Sequence, residues 1–252
     1  MFTGVTEYIH ENNRVSILKK IRIVTALFIL TILLPFIIYF LFYFGIVTGK
    51  GAFNSNIQEP VAKVIVRDGV GTAFLISPTT LLTARHVVEN YKVGDQVDLI
   101  FEHSKNQFQT KAIIKFITPT TQLTTNDAVP LDYFLSDVAI LEIPEVNDIT
   151  PLVLGESDAV VNLDEVILIG YPNGDYSITK GNINSNTYQG LNLFKLDAAS
   201  NPGNSGGPCI RKDDNTVIGI LVGGSLIAKQ GENIAVKIDD VKKILEKAKI
   251  NY

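Results

Sequence analysis

Short apolar runs broken by turn-forming residues make up most of this chain. A first series covers 61–67 (V-A-K-V-I-V-R), 72–76 (T-A-F-L-I), 80–83, 96–101, 109–117 and 138–143. A second covers 165–170, 176–188, 193–196, 207–210, 216–222 and 233–236. The runs are rich in β-branched residues, and Gly, Pro, Asn and Asp separate them, as at Asp68-Gly69 and Ser77-Pro78. Runs of this length and punctuation predict an all-β architecture of barrels or sandwiches. Residues 144–151, between two prolines, form the natural joint between the series. The pattern changes only near the end, where Val241, Ile244, Leu245 and Ala248 follow the i, i+3, i+4, i+7 spacing of one helical stripe. Asp239 or Asp240 is the expected N-cap of that helix, and Lys242, Lys243, Lys247 and Lys249 its solvated side. The stretch 118–130, T-P-T-T-Q-L-T-T-N-D-A-V-P, has no clear period and is read as a loop able to shape one wall of a cleft.

The N-terminal region obeys a different rule. Residues 23–47 carry no charge, and as a helix they would extend about 37 Å, enough for a bilayer core with some tilt. A cleaved secretory signal would have a shorter apolar region followed by a small-residue cleavage site. T-G-K-G-A at 48–52 fits that poorly, so the expectation is an uncleaved single-pass membrane anchor. Arg14, Lys19, Lys20 and Arg22 precede it and only Lys50 closely follows, which predicts a cytoplasmic tail at 1–22 and an extracytoplasmic remainder. The expected organisation is then a linker at 48–60, a first β-barrel at 61–146, and a second with the terminal helix at 147–250.

Composition narrows the function classes. The formal charge is −4, and the part beyond the anchor is more acidic still, because the first 50 residues hold five Lys/Arg against two Asp/Glu. No basic run or aromatic-basic interleaving follows, which excludes a phosphate-neutralising nucleic-acid surface. The single cysteine, Cys209, rules out an intrachain disulfide and reads as a small buried hydrophobe in a strand. No His, Cys and carboxylate cluster at ligand spacing predicts a metal site, and no cofactor is expected.

Chemistry is concentrated in the stretch 196–210, L-D-A-A-S-N-P-G-N-S-G-G-P-C-I. Ser205 sits among glycines that allow sharp turning and close backbone approach. A serine hydroxyl becomes a competent nucleophile only with a neighbouring base and with N–H groups for the oxyanion; a turn needs neither. With three histidines in the chain, the search for a base is short. His10 lies in the polar N-terminal tail and His103, in E-H-S-K-N, reads as a surface residue. His86, in L-L-T-A-R-H-V-V, follows a strand and could be presented from a rigid turn. Asp137 stands at the mouth of the strand V-A-I-L-E-I, where a carboxylate is costly unless it has a partner such as an imidazole N–H. Asp127 and Asp132 lie in loops and need none.

Together T-A-R-H-V-V, S-D-V-A-I-L and D-A-A-S-N-P-G-N-S-G-G-P resemble the histidine, aspartate and nucleophile motifs of the chymotrypsin-like serine peptidases, most closely the HtrA/Deg branch. The segments I-G-Y-P at 169–172, I-T-K-G at 178–181 and the ending at 233–245 are similar to that family as well. The resemblance implies two six-stranded β-barrels with a cleft between them, His86 as general base, Asp137 as its orienting acid and Ser205 as nucleophile. It implies an oxyanion site at Gly203, Asn204 and Ser205, and a primary pocket lined by Ala199, Ser200, Asn201, Ile220, Leu221, Val222 and Gly223. No acid lies in that lining, so a small or medium apolar substrate side chain is expected rather than Arg or Lys. The partners implied are unfolded or extended polypeptides, with a homotrimer as the family's common assembly. A catalytically silent peptidase-fold binding or chaperone-like module is the alternative. HtrA proteins usually carry PDZ domains after the protease, and the 252 residues here leave no room for one. Arg85 stands where the family commonly has a small or polar residue; pairing with a cleft carboxylate and contact with substrate are both open to it.

Overall fold

Two closed, six-stranded antiparallel barrels form the folded body of the computed structural model, which describes residues 56–119, 131–223 and 232–252, and the scattered positions 17, 19–22, 24, 28, 31 and 35–36. The chain divides into two units, 1–52 and 53–252, and both barrels belong to the second. Among the described residues no helix is long and apolar enough to cross a membrane. Most of the expected anchor at 23–47 and most of the loop at 118–130 lie outside the described residues.

The first barrel is built from β1 (Val61–Val66), β2 (Gly69–Leu75), β3 (Thr80–Thr83), β4 (Gln96–Phe101), β5 (Phe108–Ile117) and β6 (Ala139–Glu142). Their order around the barrel is β1-β2-β3-β6-β5-β4, and β1 closes on β4 through pairs such as Lys63 with Ile100. The second uses β7 (Glu165–Gly170), β8 (Ser177–Ser185), β9 (Leu193–Leu196), β10 (Pro208–Arg211), β11 (Val217–Gly223) and β12 (Asn233–Lys237). It closes by β10 pairing with β7. Closure leaves no unpaired strand edge in either barrel.

The side-chain period of two explains how one set of strands supplies three cores. In β1 and β2, Ala62, Val64, Ala73 and Leu75 point into the first barrel, while Val61 and Phe74 face the other way. In β6, Ala139 and Leu141 fill the same barrel, and Ile140, with Val138 just before the strand, turns outward. The second barrel repeats the scheme: Val166, Leu168, Phe194, Leu196, Cys209 and Ala235 are inside, and Ile167, Ile169, Ile210, Ile234 and Val236 are outside. The outward sets of both barrels meet in one continuous apolar cluster, which seals the seam. Near-continuous apolar runs are therefore required, because both faces of many strands are buried.

The terminal helix α1 (Ile238–Ala248) docks Val241 and Leu245 on that seam cluster, with Ile244 and Ala248 packed against it. Its start differs from the sequence expectation. The helix begins at Ile238, so Asp239 and Asp240 lie inside its first turn, and no side chain of the preceding Lys237 caps it. Capping is supplied instead by Ser157, whose Oγ accepts the Asp239 N–H at 3.1 Å and donates to the Asp239 carboxylate at 2.8 Å. An orphan N–H is satisfied equally well by a hydroxyl distant in sequence. Lys242 is also more than a solvated residue: its Nζ donates to the Gly155 carbonyl at 2.5 Å.

Cys209 is fully enclosed in the second barrel, and burial pushes its thiol up to about 12. The folded protein should therefore resist iodoacetamide at mildly alkaline pH, while the urea-unfolded chain alkylates like a free thiol. Mass-spectrometric labelling reads both; rapid modification of the folded chain would contradict this packing of β10.

Candidate active site

His86 is carried by the short 3-10 turn Arg85–Val87, which follows β3 directly. The turn is closed by Val88 N–H donating to the Arg85 carbonyl at 2.9 Å. It projects the imidazole from the barrel wall, where the side chain is 25% exposed. Asp137 precedes β6, which pairs with β3 through Thr83 and Ala139, so the two elements are brought side by side by sheet register. The Asp137 carboxylate is completely buried. One oxygen accepts the His86 backbone N–H at 2.9 Å, and the other meets His86 Nδ1 at 2.5 Å. A carboxylate so enclosed must be satisfied, and here it grips both the backbone and the ring of one residue. With Nδ1 committed to Asp137, Nε2 is the ring nitrogen left for other chemistry.

Burial alone would lower the His86 pKa. Asp137 opposes it by charge and hydrogen bond, Glu89 adds to that, Arg85 counters, and the imidazole ends above its ordinary value. Arg85, left open between two roles by the sequence, is only 1% exposed and lies beneath the site. Its Nη2 donates to the Tyr133 carbonyl at 2.9 Å, its guanidinium stacks 4.0 Å from the Tyr133 ring centre, and its Nε is 3.9 Å from Asp137. It faces the carboxylate, and its burial separates it from any bound substrate. Tyr133 in turn donates its hydroxyl to Glu89.

Ser205 is half-buried in a loop that approaches the first barrel closely. Thr72 of β2 donates its N–H to the Ser205 carbonyl at 2.9 Å and its hydroxyl to the Gly203 carbonyl at 2.7 Å. The same hydroxyl accepts the Tyr171 N–H at 3.2 Å. Gly206 has φ +85°, and a Cβ there would lie 2.2 Å from the Thr72 carbonyl oxygen and 2.8 Å from Ala84 N. Only glycine allows the Ser205 loop to press against Ala84, two residues before His86.

The peptide planes around Ser205 are clamped from behind. The Pro202 carbonyl accepts the Asn173 N–H at 2.7 Å, and the Asn204 carbonyl accepts the Gly207 N–H at 2.9 Å. In a trans peptide the N–H points opposite to the carbonyl, so the N–H groups of Gly203 and Ser205 are directed away from these anchors. Among the described residues neither has a hydrogen-bond acceptor. The Asn204 N–H is used instead in the turn, donating to the Asn201 carbonyl at 3.0 Å, so its contribution is the carbonyl anchor.

The expected pocket lining is divided. Ala199 and Asn201 are exposed and Ser200 is half-buried. Ile220 and Val222 belong to the seam cluster, whereas the Leu221 side chain lies inside the second barrel. Leu221 acts through its backbone, accepting the Gly206 N–H at 2.8 Å and donating to the Gly207 carbonyl at 3.0 Å. Gly223 ends β11 after a register shift. The sequence reading missed Asn233, which is 4% exposed. Its amide donates to the Ala198 carbonyl at 2.6 Å, and its oxygen accepts the Ser200 hydroxyl at 2.5 Å. Thr72 and Asn173 were also missed. The P-N-G turn signal could have drawn attention to Asn173; nothing local marks Asn233. His103 is exposed, as expected, with its ring stacked 3.7 Å from that of Tyr176. No group of three metal-ligating side chains occurs among the described residues.

The pattern of the trypsin-like peptidase domain matches residues 71–220. The magnetosome formation protease MamE of Magnetospirillum gryphiswaldense is 41% identical over 104 residues, covering 38% of this chain and 13% of that protein. Protease Do-like 4, mitochondrial, of Arabidopsis thaliana is 35% identical over 168 residues, covering 62% of this chain and 28% of its own length. The chain thus spans less than a third of either curated relative. Among solved structures, the HtrA-type protease AlgW with tripeptide superposes with a TM-score of 0.61 at 26% identity, over 77% of this chain and 61% of that one. In sequence and fold the chain is similar to Do-like and HtrA-type proteases, and it belongs to the trypsin-like peptidase domain family.

Proposed function

We propose that this chain is a membrane-anchored serine endopeptidase, with Ser205 as nucleophile, His86 as general base and Asp137 as the acid that orients it. The observation that carries the reading is the buried Asp137 carboxylate holding both the backbone N–H and Nδ1 of His86, beside a glycine-rich loop that leaves two N–H groups without acceptors. His86 Nε2 takes the Ser205 proton as Oγ attacks the peptide carbonyl. The oxyanion is received by the N–H groups of Gly203 and Ser205, His86 returns the proton to the leaving amine, and water releases the acyl group by the same steps in reverse. Asp137 favours the Nδ1–H tautomer and stabilises the imidazolium that forms. An oxyanion donor of this kind contributes about 3 to 4 kcal/mol to the transition state. No step requires a metal or cofactor.

The substrate is a polypeptide bound in extended form, read mainly through its backbone. AlgW carries a tripeptide in its solved structure, which favours the same class of ligand here. Ala199, Ser200 and Asn201, with the backbone at 220–223, form the primary pocket, and the hydrogen-bonded Ser200–Asn233 pair contributes no charge to it. The uncharged run 23–47, with basic residues crowded before it, supports a single-pass anchor that leaves the peptidase outside the cytoplasm.

A fluorophosphonate probe should label the full-length protein in detergent and leave Ser205→Ala unlabelled. Absence of labelling in both, with unfolded-protein binding intact, would convert the reading to a silent binding module. The pH profile gives a second check. A base whose pKa is raised stays protonated to higher pH, so kcat/KM should fall on acidification with a midpoint above the ordinary imidazole value of about 6.5. Asp137→Asn should lower kcat by about 10⁴-fold and move that midpoint down; an unmoved profile would remove His86 from the role. Cleavage-site mapping on a denatured protein mixture should show small or medium apolar residues before the cut. A strong preference for Arg or Lys there would refute the neutral pocket.

A further inference from the structure

We propose that Lys63 of the first barrel is a positioning residue for the oxyanion site of the second. The proposal rests on the peptidase reading above and concerns what keeps the Pro202–Gly203 peptide oriented. That peptide is held by one contact behind it, the Asn173 N–H on the Pro202 carbonyl at 2.7 Å. Rotation of the plane would carry the Gly203 N–H away from the oxyanion and turn a carbonyl toward it. Whatever fixes Asn173 therefore fixes the donor.

Asn173 belongs to the short turn Pro172–Gly174 and has φ +54°, a left-handed conformation that asparagine tolerates without strongly preferring it. Its neighbour Gly174 has φ +89°. The turn has two hydrogen bonds of its own, Gly174 N–H to the Tyr171 carbonyl at 3.0 Å and Asp175 N–H to the Pro172 carbonyl at 3.1 Å, and neither engages the Gly174 carbonyl. Lys63 supplies a restraint from across the seam: its Nζ donates to the Gly174 carbonyl at 3.1 Å. The ammonium is itself fixed, by an ion pair with Glu102 and by the Tyr171 ring, whose centre is 5.3 Å away. Tyr171 is completely buried, and its carbonyl oxygen would lie 2.1 Å from a Cβ on Gly203, so turn and loop are in direct contact.

Register makes the arrangement coherent. Lys63 of β1 is paired with Thr72 of β2, and directly opposed residues in a sheet point to the same face. Thr72 holds the Gly203 carbonyl and the Tyr171 N–H, while Lys63 holds the Gly174 carbonyl. One cross-strand pair of the first barrel thus secures both ends of the segment that aims the Gly203 N–H. Thr72 is buried and committed to the seam; Lys63, with its side chain 17% exposed, is the member that can be changed without opening a core.

The experiment uses the full-length protein in detergent. If the peptide plane loses its restraint, the competent fraction falls and kcat falls with it, while ground-state binding of an extended peptide does not depend on the plane. Lys63→Met should lower kcat about tenfold, short of the 10²–10³ for complete loss of one oxyanion donor. KM should stay within about twofold. Affinity for a peptide aldehyde, whose hemiacetal oxygen occupies the oxyanion position, should fall in proportion to kcat. Affinity for the corresponding peptide alcohol, which forms no adduct and presents no oxyanion, should not, and Lys63→Arg should restore both kcat and aldehyde binding. Unchanged kcat and aldehyde affinity in Lys63→Met overturns the proposal, as does a loss that appears equally in KM or that arginine does not rescue. Should the Met variant fail to fold, Lys63→Gln keeps an N–H without the charge; the same split at smaller size is expected, and full kcat with full aldehyde affinity there also overturns it. Failure of the underlying reading is distinguishable, because the unsubstituted protein would then either show no turnover or keep it in Ser205→Ala.

Discussion

A carboxylate with no exposed surface is the most demanding group in this molecule. Asp137 is accommodated in the first barrel wall because His86 meets both of its oxygens and the Arg85 guanidinium lies close by. An ionised carboxylate left alone in such a place would cost several kcal/mol. The same requirement orders the site: satisfying Asp137 fixes the orientation of the imidazole, selects the nitrogen that faces outward and holds the turn that carries it. Arg85 sharpens the balance. It draws the His86 pKa down while Asp137 and Glu89 draw it up, and its contacts with Tyr133 connect that balance to the segment preceding Asp137.

The second constraint is steric. Gly206 and Gly203 are positions where a Cβ would collide with backbone atoms, those of Thr72 and Ala84 in one case and of Tyr171 and Asn173 in the other. Their positive φ values are conformations that other residues adopt at a cost. The loop accepts that geometry because Thr72, Asn173, Gly207 and Leu221 restrain it from several sides. These restraints come from both barrels, which is why the seam between them matters beyond its apolar area. Strands with alternating inward and outward residues provide a separate core for each barrel and a shared one between them. At the seam the loop that carries Ser205 closes on Thr72, Thr83 and Ala84 of the first barrel.

Much of this was legible in the residues themselves. Strand positions followed from apolar runs and their turn punctuation, with most ends displaced by a residue or so and the start of β2 and the end of β8 by three, because strand termini are decided by ladder hydrogen bonds that composition does not record. His86, Asp137 and Ser205 stood out because each needs unusual surroundings to do chemistry and few residues of the chain had them. The start of the terminal helix was misread, since Asp239 and Asp240 look like caps locally and the actual cap, Ser157, is remote in sequence. Leu221 was assigned to the pocket by its place in the chain, but alternation turns its side chain into the second barrel.

By itself, then, the amino-acid order determined the class of fold, the charged and uncharged regions and the chemical identity of the candidate triad, since these depend on periodicity and residue type. Tertiary structure decided that Arg85 faces Asp137, which N–H groups around Ser205 are left without acceptors among the described residues, and which backbone groups Lys63, Thr72, Asn173 and Asn233 bond to. Those outcomes depend on hydrogen bonds between segments far apart along the chain. Their partners are named only when barrel closure and the packing of one barrel on the other bring the segments within about 3 Å of each other.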